Sequence, residues 1–305
     1  MAADPDVSRE TFVGDSPLLQ AAAAAAAVKT GHLHLPRPTE TQILSVANQK
    51  GGVGKTTTSV NIAAALSYGG LQVLVIDLDP QGNASTAFGV EHHSGVRGTY
   101  EVVVDQVPLA EVVSPTPIPG LWCCPATLDL AGAETELVSA VAREQRLRKA
   151  LEAYLPAHEA KHGRLDYVII DCPPSLGLLT INALTAAAEL LLPIQCEFYA
   201  LEGVSQLVRI VDLVKRELNP QLTIGSVLLT MFDSRTRLSG AVADDVRAHF
   251  GGQVLEAVIP RSVRVSEAPS FGQTVVQYDP GSSGAQAYVA AARQLAERAS
   301  TPQQA

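Results

Sequence analysis

Positive charge is what this 305-residue chain is short of: 22 lysines and arginines stand against 31 aspartates and glutamates, a net charge of −9 with histidine neutral. That balance excludes a basic coat over the whole surface, so any contact with a polyanion must come from a local cluster of Lys or Arg. Cysteine is scarce as well. Cys123, Cys124, Cys172 and Cys196 have neither zinc-finger spacing nor the density of a disulfide-stapled secreted domain, and buried, reduced thiols are expected. No apolar run reaches membrane-spanning length. Asp4, Asp6, Glu10 and Asp15 against Arg9 give the N-terminus the wrong sign for a secretory signal, so a cytoplasmic location is expected. His32, His34, His92 and His93 have no Cys or carboxylate at metal-ligand spacing. What the chain does have is apolar residues, 47% of the total, ample for a packed core.

Residues 1–40 differ from the rest, with acidic and small residues, an alanine run at 21–27 and then HLHLPRPTE. They read as an extension, either a mobile tail or a partner-docking helix that starts at Ser16 and Pro17 and runs to Lys29. Residues 41–300 read as one domain and 301–305 as a polar tail. Strands are expected at 43–47, 73–77, 167–171, 189–194 and 224–230, each rich in Val, Ile and Leu and none alternating with polar residues. Both faces of such strands must be covered. Val204, Leu207, Val208, Val211 and Leu218 recur at helical spacing and mark a helix with one buried stripe. The fold class is therefore α/β: a single doubly wound, mostly parallel sheet with helices on both faces.

Between the first strand and a helix lies ANQKGGVGKTTT, residues 47–58. Gly54, Lys55 and Thr56 satisfy the end of the phosphate-loop pattern G-x-x-x-x-G-K-S/T, but Gln49 stands where its first glycine belongs. The loop is a variant with two lysines. Gly51, Gly52, Val53, Gly54, Lys55, Thr56 and Thr57 form the candidate nucleotide-binding segment, whose N–H groups and helix N-terminus suit phosphate oxygens. Lys55 would reach the terminal phosphates and Thr56 would ligate Mg²⁺. Asp171, ending a buried strand before CysProPro, is placed to hold Mg²⁺ directly or through water. Asp77 and Asp79 end the strand after the loop helix; they alternate there, so the two need not both face the phosphate.

KGGVGKTTT, DLDPQGN and YVIIDCPPS together resemble the deviant Walker A ATPases, specifically the ParA/Soj chromosome and plasmid partitioning proteins. The likeness continues through EFYALEGVSQL, LLTMFDSRT and VIPRSVRVSEAPSFGQ, from position 42 nearly to the end. It implies an ATPase in which Lys50 crosses a nucleotide-sandwich homodimer to touch the partner subunit's phosphates, Asp79 positions the attacking water, and Asp77 supports the Mg²⁺ shell. It implies slow ATP hydrolysis, accelerated by a ParB-type centromere-binding partner, and an ATP-bound dimer that holds non-specific double-stranded DNA at the nucleoid. Met231 and Pro260 match segments that line the base.

DNA binding must be reconciled with the acidic chain. Residues 201–270 carry as many basic as acidic side chains, so the excess negative charge lies elsewhere. Arg235 and Arg264 match DNA-binding positions of the family, with Arg209, Lys215, Arg216 and Arg237 as further candidates. No aromatic array accompanies them, which points to phosphate contact without base reading. No Asn-Lys-x-Asp stretch is present, which favours ATP over GTP. Two rival readings stay open. A membrane-cycling protein of the MinD type needs a basic amphipathic C-terminal helix, whereas AAARQLAERASTPQQA is poor in bulky apolar residues. A small-molecule ligase or iron–sulfur reductase of the same superfamily would need a substrate site or exposed cluster cysteines.

Overall fold

Apolar runs without polar alternation become the inner strands of one sheet. The computed structural model describes Ala26, Val28, residues 33–198 and residues 200–301. Its strands are β1 (Gln42–Val46), β2 (Val73–Asp77), β3 (Ser114–Pro115), β4 (Leu121–Cys124), β5 (Tyr167–Asp171), β6 (Glu189–Gln195), β7 (Thr223–Phe232) and β8 (Val254–Pro260). They form an eight-stranded sheet in the order β3-β4-β2-β5-β1-β6-β7-β8. Only β3 runs antiparallel to its neighbour. The helices are α1 (Lys55–Tyr68), α2 (Asn83–Ala87), α3 (Leu130–Leu137), α4 (Arg146–His162), α5 (Leu178–Ala186), α6 (Glu202–Glu217), α7 (Arg237–Phe250), α8 (Val263–Glu267), α9 (Val275–Tyr278) and α10 (Ser283–Ser300).

Every residue of β2 and β5 is buried, and alternate residues feed two separate cores. Leu74, Ile76, Val168 and Ile170 pack with α3 to α7, while Val73, Val75, Tyr167 and Ile169 pack with α1 and α10. Both faces are covered, as the unalternating runs require. Ala63, Ala64 and Ala65 of α1, together with Ala285, Ala291, Ala292 and Ala296 of α10, are all buried in the second core. Ile62 and Leu66 are also fully buried there, each worth roughly 1.5–3 kcal/mol. The helix expected from Val204 to Leu218 is α6, with Val204, Leu207, Val211 and Val214 buried. Three strands escape the sequence reading, β3 because it has two residues. β4 is only four residues long, and β8 is an edge strand interrupted by the exposed Glu256.

Part of the segment expected to precede the fold packs onto it. Leu33 and Leu35 are buried in the second core, and the Leu35 amide donates to the Gly69 carbonyl at 3.0 Å. Arg37 makes a two-bond fork to the buried Asp166, at 3.0 and 3.1 Å. Arg164 donates to the carbonyls of Pro38 and Thr39. The proposed helix start at Ser16 and Pro17 lies outside the described residues; Ala26 and Val28 are helical, and Val28 is buried.

Register then sets up the chemistry. β1 and β5 are neighbours with Val46 opposite Asp171, and β2 flanks β5 with Asp77 opposite Asp171. The loop after β1, the turn after β2 and the end of β5 thus converge on the carboxyl edge of the sheet. Chain order reverses there, the usual ligand crevice of open α/β sheets.

Candidate functional site

The loop after β1 is held open from both sides. Buried Asn48 donates from Nδ2 to the Pro193 carbonyl at 2.8 Å and accepts the Lys50 amide on Oδ1 at 3.0 Å. From β7, the Thr230 hydroxyl donates to the Val53 carbonyl at 2.8 Å. Gly54 has φ +86° at the start of α1 and offers no side-chain cap, so the first N–H groups of the helix stay available. Thr58 N–H closes the first turn onto the Gly54 carbonyl at 2.8 Å.

The two lysines part company here. Lys55 is 7% exposed, and its Nζ folds back onto the Lys50 carbonyl at 3.2 Å. Burial pulls its pKa below the usual lysine value, opposed by the nearby Asp171 and Asp79 carboxyls. Lys50 is partly exposed, lies against Gly203 of α6, and makes no ion pair among the described residues.

Asp171 is fully buried, with Oδ1 accepting the Ser59 hydroxyl at 2.8 Å. Its Oδ2 is buried and has no hydrogen-bond partner among the described residues. Burial first, then the charge of Asp77, pushes its carboxyl well above the ordinary range; the hydroxyls of Ser59 and Thr56 act the other way, Thr56 without closing a bond of good geometry. Two buried carboxyls side by side, one with an unsatisfied oxygen, fit a hard cation such as Mg²⁺, which Thr56 and Asp171 would hold.

Asp77 is differently committed. Its Oδ2 accepts the amide and hydroxyl of Ser85, at 2.9 and 2.7 Å, and its Oδ1 accepts the Asp79 amide at 3.2 Å. Burial raises its carboxyl, and these bonds oppose the rise. Through these bonds Asp77 fixes the turn carrying Asp79. Asp79 is 8% exposed, and its Oδ1 accepts the Gln81 amide at 3.1 Å.

Gly54, Thr57, Met231 and Pro260 line a common cavity of about 270 Å³ beside the loop, closed by Ile259, Pro269 and Tyr288 among others. Met231 has φ +51°, rare for a side chain of its size, at an irregularity in the β7–β8 register. The cavity adjoins the phosphate loop and is roomy enough for a purine base.

The basic candidates do not gather in one place. Arg235 and Arg237 follow the carboxyl end of β7, and Arg264 follows that of β8. Lys215 and Arg216 sit in the last turn of α6, which starts at the carboxyl edge and returns to the other; Arg209 lies midway. Thirteen residues from Glu202 to Lys215 span about 20 Å. Arg235 is 84% exposed yet makes a two-bond fork to Asp233, at 2.9 and 2.8 Å. Arg264 pairs with Glu267 and Asp279, and Arg216 with Glu217. Sequence reasoning missed Asn48, Ser59 and Thr230; the only hint was a polar cluster, TTTS, opening an otherwise apolar helix.

A protein-family model described as an AAA domain matches residues 41–224. The Bacillus subtilis sporulation initiation inhibitor protein Soj is 50% identical over 255 residues, 84% of this chain and 98% of that protein. The Caulobacter vibrioides chromosome partitioning protein ParA is 51% identical over 257 residues, 84% and 94% of the two chains. This chain belongs to the ParA/Soj family of partitioning ATPases. Among solved structures, a Mycobacterium smegmatis protein described as cobyrinic acid a,c-diamide synthase, with bound ADP and magnesium, matches with TM-score 0.70 at 39% identity, over 84% of this chain and 93% of that one. The Pyrococcus horikoshii septum site-determining protein MinD, complexed with Mg-ADP, shares the fold with TM-score 0.67 at 24% identity, over 84% and 96%. Like other members of the ParA/Soj family, the chain carries a P-loop domain on a mostly parallel sheet. No helix among the described residues is long and apolar enough to cross a membrane.

Proposed function

We propose that the chain is an ATP-dependent DNA-segregation protein of the cytoplasm and nucleoid, working as a homodimer whose interface contains the nucleotide. The observation that carries this reading is the division of labour between the lysines: Lys55 is buried and folds into its own loop, while Lys50 is partly exposed and has no ion-pair partner among the described residues. A cation in that position suits the phosphates of a facing copy, neutralising charge only when two subunits close, much as an arginine finger acts. Exposed Leu128, which follows the carboxyl end of β4, and exposed Val138 and Val141, which follow α3, supply apolar surface for such an interface.

In the assembled site the loop amides and Lys55 hold the β and γ phosphates. Mg²⁺ held by Thr56 and Asp171 would offset the phosphate charge. Asp79 orients the attacking water, held in place by Asp77, whose Oδ1 accepts its amide. Such a site hydrolyses slowly until completed, and a ParB-type partner would complete it. The dimer doubles the cations offered to non-specific double-stranded DNA, each phosphate contact adding about 0.9 to the salt slope. The test is DNA retention with ATP, ADP and no nucleotide across a salt series; retention indifferent to nucleotide would overturn the reading.

A second reading, a small-molecule ATP-dependent enzyme, is favoured by the solved relative described as a diamide synthase. It predicts ATP consumption that depends on a small substrate and ignores DNA. The iron–sulfur version is disfavoured because all four cysteines are buried. A membrane-cycling role fits poorly, since α10 buries Tyr288, Val289 and Leu295 against the core.

A further inference from the structure

A second largely apolar cavity lies away from the phosphate loop. It has a volume of about 350 Å³ between residues 102–110 and α4. Val102, Leu109 and Tyr154 form buried walls, and Ala150, Ala153 and Ala157 keep the helix side low enough to leave the space open. Arg146, at the start of α4, and exposed Lys149 one turn on also line it. Arg146 Nη1 is buried with no hydrogen-bond partner among the described residues. The acidic residues next to it in sequence are committed elsewhere: Glu144 to Arg143 at 2.9 Å and Glu152 to Arg148 at 3.0 Å. A buried guanidinium nitrogen without an acceptor is costly, and an anion restores its bond.

We propose that this cavity is a binding site for a small amphiphile with one anionic head, seated on Arg146 and Lys149, and an apolar body against Val102, Leu109 and Tyr154. The volume falls within the range of small-molecule sites. Its chemistry is independent of the partitioning reading and of the nucleotide loop.

The chain's single tryptophan reports on this site. Trp122 meets the His158 ring edge-on at 4.7 Å, and His158 accepts or donates a 3.0 Å bond with the Tyr154 hydroxyl. Decanoate, decanol and decylamine, each kept below its micelle concentration, are titrated into the full chain while Trp122 emission and heat are followed. Expected is saturable decanoate binding, one per chain, tighter than decanol by about tenfold or more and lost for decylamine. Arg146→Gln should bring decanoate down to the level of decanol, and Ala153→Phe, at the exposed mouth, should abolish binding. Should Ala153→Phe alter the unfolding transition, Ala157→Phe one turn on serves instead. Equal affinity for acid and alcohol, an unchanged Arg146→Gln protein, or decanoate bound as well by the blocked variant would overturn the proposal.

Discussion

Asp171→Asn should separate the cost of the site from its use. The Asp171 carboxyl is fully buried, Oδ2 has no hydrogen-bond partner among the described residues, and Asp77 stands beside it in the next strand. An unsatisfied buried acceptor costs about 1–3 kcal/mol. Asparagine keeps an oxygen for the Ser59 hydroxyl and removes the carboxyl whose ionisation burial and Asp77 oppose, but leaves an amide nitrogen at the partnerless position, so the variant without ligand should lie within about 1–3 kcal/mol of the parent. In scanning calorimetry this is a shift of a few degrees at most for a chain of this length. With Mg²⁺ and ADP at a hundred times the dissociation constant, the parent should gain about 2.7 kcal/mol. The variant should lose the magnesium-dependent share, so that its transition with ADP is the same in Mg²⁺ and in EDTA. A ligand-free variant destabilised by several kcal/mol, or one with the parent's full magnesium response, would refute the reasoning.

Three further outcomes are expected. Gly54→Ala forces a side chain into a left-handed conformation at φ +86°, and denaturant titration should show a loss of about 1–2 kcal/mol along with weaker nucleotide binding; unchanged stability would contradict the strain argument. Asp79→Ala should bind ATP, stall, and leave dimers trapped on DNA, whereas normal phosphate release would remove the residue from its assigned role. Asp233→Asn frees Arg235 from its fork, and DNA retention at low salt should increase. The Asp233 carboxyl is held at about 2 chiefly by hydrogen bonds from the Arg235 side chain and amide, so the competition persists across the working pH range; reduced retention would mean that Asp233 orients Arg235 and does not compete for it.

The central strands and the phosphate loop were legible because burial on two faces and the demand for φ > 0 each restrict residue choice strongly. β2 and β5 needed nothing beyond their unbroken Val, Ile and Leu. The supporting bonds were not legible. Asn48 reaches out of the loop to Pro193, 145 residues away, and Thr230 reaches into it to Val53, 177 residues away, and no local pattern marks such pairs. Asp77 illustrates the same limit: its place at a strand end was readable, but its capture by Ser85 depends on how the following turn closes. The basic surface was hardest. Charge counting found the arginines, yet direction of travel along α6 decides that Lys215 and Arg216 face away from Arg235 and Arg264, and the acidic partners sit only a few residues off.

The most direct measurement is the oligomeric state of Lys50→Ala in a non-hydrolysable ATP analogue, by sedimentation at matched concentrations. The parent chain should sediment as a dimer and the variant as a monomer that still binds the analogue through Lys55. A variant that dimerises as readily as the parent would contradict the claim that Lys50 completes the facing subunit's site.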